Sequence, residues 1–101
     1  MRSASRIDAN HVEIKNIFLS FGFDVIDTAA YSGKMLDLLV TLGDHFFCYV
    51  EIKDGNKPKS MRKLTPSEIN FIKKRPDKCV VIESVEQAKT FCCSAIAGEK
   101  F

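Results

Sequence analysis

No stretch of this chain stays apolar for the roughly 18 residues that a membrane span needs, and no segment repeats or falls into low complexity. The opening MRSASRIDAN has no apolar core behind its arginines, so it does not read as a secretory signal. Cysteine is present four times, at Cys48, Cys79, Cys92 and Cys93, but never with CxxC spacing. Without paired ligands, a structural zinc would have to recruit His11 or His45 from scattered places, so the cysteines read as reduced, small, apolar residues. There is also little net charge, only +2.

What is present is an ordinary globular composition, 46% hydrophobic and 28% charged over 101 residues. That excludes disorder as the dominant state and suits one domain, with residues 1–7 and 98–101 as loose tails. The charge is unevenly placed. Nine basic residues between Lys53 and Lys78 face three acids, so that segment is +6 and the remainder of the chain −4. A basic middle suits a phosphate backbone, although a solvated loop and helix face would look the same in composition.

Helical spacing of Ile14, Ile17, Phe18 and Phe21 predicts a first helix over about 9–21, with Asn10 and Glu13 as a capping box and Gly22 as the stop. Phe23–Thr28, Leu36–Leu42 and His45–Lys53 read as strands. Thr65-Pro66-Ser67-Glu68 starts a second helix that runs to about Lys74 and stops before Pro76. Cys79–Ile82, apolar without alternation, reads as a central strand buried on both faces. Ser84-Val85-Glu86-Gln87 looks like a further capping box opening the last helix. The order α-β-β-β-α-β-α, with an antiparallel meander and a helical crossover, predicts an α/β (α+β) fold with a mixed sheet and helices on its faces.

Asp37, Glu51 and Lys53 stand out because each lies in an otherwise apolar strand, where a carboxylate costs free energy unless it is paired or binds a cation. Glu51 and Lys53 share a strand face. Asp37 joins them only in one hairpin register. A two-residue loop would set Asp37 opposite Val50. A three-residue loop, Gly43-Asp44-His45, pairs Leu42 with Phe46 and sets Asp37 opposite Glu51. We take the second register, since it gathers the polar residues on one face. Two opposed carboxylates are expected to hold a divalent cation, and oxygen-only ligation favours Mg²⁺ or Mn²⁺.

Asp37, then Glu51-Ile52-Lys53 after a hairpin, behind a helix carrying Glu13, resembles the PD-(D/E)xK nuclease superfamily. The likeness is closest to its small phage-type VRR-NUC and Holliday-junction-resolvase-like members, and the stretch from Glu51 to Glu68 carries most of it. The resemblance covers about residues 8–90. Leu36 stands where the family usually has proline, the turn Tyr31-Ser-Gly-Lys34 is poorer in glycine, and Glu68 and Ile69 stand where relatives carry Gln or Lys. The resemblance implies a restriction-endonuclease-like fold and a metal-dependent endonuclease that hydrolyses DNA phosphodiesters, with branched, flapped or nicked DNA as substrate by analogy. It implies Asp37, Glu51 and the main-chain carbonyl of Ile52 as metal ligands, Lys53 as a catalytic cation, and Glu13 as a further catalytic or metal-binding carboxylate. Lys34, Lys57, Lys59, Arg62 and Lys63 are the expected nucleic-acid contacts. Tyr31 is placed either on a base or in packing, Phe46, Phe47 and Phe71 in the core, and His11 and His45 on the surface. A homodimer, a protein partner that supplies specificity, no membrane contact and a cytoplasmic (host-cytoplasmic, if phage-encoded) location complete the expectation. The alternative is a non-cleaving nucleic-acid-binding or phage counter-defence inhibitor protein on the same fold.

Overall fold

The structure, a computed structural model, describes residues 10–30 and 35–98. The chain runs α1 (His11–Ser20), β1 (Asp24–Asp27), a short 3-10 turn (Thr28–Ala30), β2 (Leu38–Leu42), β3 (Phe46–Ile52), a 3-10 turn (Lys59–Met61), α2 (Pro66–Lys74), a 3-10 turn (Pro76–Lys78), β4 (Cys79–Ile82) and α3 (Val85–Ile96). This is the predicted order: three helices and one mixed sheet of four strands, β1-β2-β3-β4. β1, β2 and β3 form the antiparallel meander, and β4 returns parallel to β3. Tail residues 1–7 lie outside the described residues, as do 99–101.

The hairpin turns on Gly43, Asp44 and His45, with Gly43 in the left-handed region at φ +63°. Leu42 pairs with Phe46 and Leu38 with Val50, the register that the polar residues predicted. One sheet face then carries Leu38, Val40, Cys48, Val50 and Ile52, all buried with Ile14, Phe18, Ala88, Phe91 and Cys92 from α1 and α3. Phe18 anchors this core, edge-on to Phe23 at 5.5 Å and to Phe91 at 5.9 Å. Burying such a ring stabilises the fold by roughly 1.5–3 kcal/mol. The opposite face carries Phe47, Tyr49 and Glu51. α2 packs there through Phe71, whose ring lies 4.9 Å from that of Tyr49.

Three local expectations are corrected. Cys79–Ile82 is an edge strand with three of its four residues half-buried, and the inner strands are β2 and β3. Asn10 makes no side-chain cap. Its amide instead donates to the main-chain carbonyls of Lys53 (3.1 Å) and Glu83 (3.3 Å), a tertiary use that no local pattern reveals. At α3, Ser84 does cap Gln87 N–H, but the Gln87 side chain accepts from Glu83 rather than from the cap residue. The Thr65 capping box forms in full.

Candidate active site

Asp37 sits one residue before β2. Its carbonyl is held by the N–H groups of Thr28 and Ala29, each at 2.9 Å, so the corner between β1 and β2 fixes the backbone. The register carried one step past Leu38 and Val50 sets Asp37 opposite Glu51. The Asp37 carboxylate (Oδ2) accepts from the Ile52 N–H at 2.8 Å. Glu51, the penultimate residue of β3, is 4% exposed. Its carboxyl is close enough to those of Asp37 and Glu68 for the three to shift one another's ionisation.

Lys53 follows β3 and is clamped through its backbone. Its N–H donates to Ile82 O (3.0 Å), and its own carbonyl accepts from Asn10. Its amine lies 3.3 Å from Glu51 Oε2 and 3.0 Å from Glu68 Oε1. Asp37, Glu51 and Lys53 are therefore brought together. Glu68 is the fourth member, and sequence reasoning missed it. Glu68 Oε1 takes both the Thr65 N–H (2.8 Å) and the Lys53 amine. The capping box explained Glu68 fully, which hid its second role. Its signal was a cap carboxylate placed one loop after a strand-end lysine.

Burial pushes Glu51 up to about 9, and the neighbouring charge of Asp37 adds to this; Lys53 pulls the other way without offsetting it. Asp37 is also raised, by burial, against the Ile52 N–H and the charge of His11. For Lys53, burial favours the neutral amine, but the bond to Glu68 and the charge of Glu51 outweigh it and raise the pKa. Burial alone would raise Glu68; the Thr65 N–H, Glu51 and Lys53 together bring it below the usual carboxylate value. The site thus crowds three carboxyls around one ammonium and is short of positive charge. Among the described residues no group of three or more histidine, cysteine, aspartate or glutamate side chains has the geometry to hold a metal. Glu68 Oε1 is taken by Lys53 and the Thr65 N–H, which leaves Asp37 and Glu51 as facing oxygen donors. Such a set fits a hard divalent cation that keeps several waters.

The other candidates lie elsewhere. Glu13 is exposed and lines a cleft of about 340 Å³ with Asn10, Asp54, Arg62, Glu83 and Gln87; neither Asp37 nor Glu51 lines it. The α1 residue whose charge acts on Asp37 is His11. It was expected on the surface but is 3% exposed, with Nε2 3.3 Å from Asp27 Oδ2. His45 is exposed as expected. Arg62 is taken up internally, bonding Lys57 O (2.8 Å) and Glu83 (3.1 Å), and so folds the 53–64 loop against β4. Lys59 and Lys63 are exposed on that loop, and Lys57 is half-buried. Gly55 completes the loop: its N–H donates to Glu83 O, and a Cβ there would meet that oxygen at 2.6 Å. Lys34 and Tyr31 lie outside the described residues.

No family model, curated protein or solved structure matches the chain. Among the described residues no helix is long and apolar enough to cross a membrane.

Proposed function

We propose that this protein is a metal-dependent endonuclease that hydrolyses DNA phosphodiester bonds, on a site of PD-(D/E)xK type. The observation that carries the reading is the pairing of Asp37 with Glu51 across the hairpin, with the Lys53 amine 3.3 Å from Glu51. A Mg²⁺ or Mn²⁺ ion held by Asp37, Glu51 and the Ile52 carbonyl would polarise the scissile phosphate and acidify a water. Lys53, held charged by Glu51 and Glu68, stabilises the charge that develops on the phosphoryl oxygens or orients the attacking water. Glu68 positions Lys53 and ties it to the start of α2. The exposed Lys59 and Lys63, with Lys57, hold the backbone of the nucleic acid; Arg62 shapes the loop that presents them.

The deciding experiment is nicking of supercoiled plasmid, and cleavage of branched, flapped, nicked and linear DNAs, with Mg²⁺ or Mn²⁺. The wild-type protein cuts and Asp37→Ala does not. A wild-type protein that binds DNA but cuts neither DNA nor RNA would favour the non-cleaving binding or inhibitor reading. Sedimentation of the protein with and without DNA decides whether a homodimer makes paired cuts.

The phosphate role has its own readout. Neutralising Lys59 and Lys63 together should weaken binding about equally for all sequences and flatten the log–log salt dependence by roughly two units. An unchanged slope would leave the loop as solvated surface.

A further inference from the structure

Phe47 was expected in the core, yet it is 41% exposed and carries the one exposed aromatic ring among the described residues. It stands on β3 with Tyr49 and Glu51, at alternate positions that share a sheet face. The strand rise of about 3.4 Å per residue puts Phe47 about 14 Å from Glu51 along β3. Tyr49, between them, is covered by α2 through Phe71. Tyr49 meets Phe47 edge-on at 6.2 Å and Phe71 at 4.9 Å. Cations line the same route: the Lys78 amine lies 4.8 Å from the Phe47 ring centre, and the Arg75 guanidinium 4.0 Å from that of Phe71. Lys73 and Lys74 are exposed at the end of α2, and Asp77 is the one acid between Lys73 and Lys78, leaving that stretch +3.

We propose that this face is a docking track for single-stranded nucleic acid leading from the carboxylate site, with a base stacked on Phe47 and its phosphates on Lys78, Arg75 and Lys74. The proposal rests on the reading that the site acts on nucleic acid. An exposed ring beside cations is the chemistry that single-strand binding uses, because every base has a π-face and every step carries a phosphate. The charge also sets the path. The cations stand on the β4 side of Phe47, whereas Asp24 lies on its β1 side, across Thr41, so the strand follows β4 and α2. A two-fold contact between two copies on this patch would instead bring Lys78 and Arg75 toward their own equivalents.

The test is binding of a fluorescent oligothymidine to the full chain in Ca²⁺ without Mg²⁺, beside a blunt duplex. Phe47→Ala should weaken oligothymidine binding about 5- to 160-fold, the range for loss of one stacked base, and affect the duplex far less. Phe47→Leu, which keeps apolar bulk, should lose nearly as much, and Phe47→Tyr should rescue binding. Lys78→Gln should lower the salt slope by about one. Thermal melting of each variant checks that the fold is kept. Wild-type affinity in Phe47→Leu would overturn stacking. Loss of self-association in Phe47→Ala, with oligothymidine binding intact, would make the face a contact between copies and overturn the track. These outcomes are read without cleavage, so a failed nuclease assay and a failed track remain separate results.

Discussion

Lys53→Ala should slow single-turnover cleavage about 10²- to 10³-fold, the usual loss when one preorganised electrostatic group is removed, while leaving DNA and metal binding nearly intact. The reason lies in how the lysine is held. Its backbone is pinned to β4 through Ile82 and to α1 through Asn10, so the main chain at this position cannot drift. Its amine is kept charged chiefly by Glu68 at 3.0 Å and its pKa is raised, which excludes a role as general base near neutral pH and leaves a fixed cation. A fixed cation stabilises charge that appears only in the transition state, so its loss acts on rate more than on affinity. The proposed metal ligands Asp37 and Glu51 and the exposed Lys59 and Lys63 all remain, although Glu51 loses its ion pair with Lys53. The measurement is single-turnover cleavage at saturating Mg²⁺, set beside DNA binding in Ca²⁺. Cleavage at the wild-type rate would take Lys53 out of the mechanism.

The hairpin register shows why the centre of this site is legible in the sequence. A period of two forces an all-or-none choice, and only one choice gathers Asp37, Glu51 and Lys53 on one face. Local chemistry likewise revealed the Thr65 cap, since Thr-Pro-Ser-Glu satisfies its own backbone groups without help from the rest of the chain. The misses all involve tertiary partners. Asn10 and Glu13 have the spacing of a capping box, but the carbonyls at the ends of β3 and β4 capture the Asn10 amide. His11 is buried against Asp27, a partner 16 residues away that no periodicity announces. β4 looked central because its residues are apolar, yet apolar residues on an edge strand can be half-covered by a helix and a turn. Phe47 looked like core for the same reason: hydrophobicity alone does not say which sheet face is left open.

Glu51→Gln should make the metal-free protein more stable above neutral pH and at the same time abolish metal-dependent stabilisation. Glu51 is almost wholly buried, and burial beside Asp37 lifts it to about 9, against an ordinary value of 4.5. Between those values the folded protein holds a proton that the unfolded chain releases. Stability must therefore fall as pH rises through that window, since the unfolded state binds fewer protons. Below it both states are protonated and this slope disappears. Glutamine has the shape of the protonated acid and cannot ionise, so the variant should lose the slope and gain most at the alkaline end. A gain of 1 kcal/mol would raise the melting temperature by about 4–8 °C in a domain of this size. A divalent cation reverses the comparison, because it stabilises only a protein that binds it, and more so as its concentration exceeds Kd. Melting curves at pH 5 and pH 9, in EDTA and then in Mg²⁺, give all four comparisons. A wild-type protein with no alkaline loss in EDTA would show that Lys53 neutralises Glu51 by itself. A Glu51→Gln protein that Mg²⁺ still stabilises would move the cation away from this carboxylate, and with it the proposed chemistry.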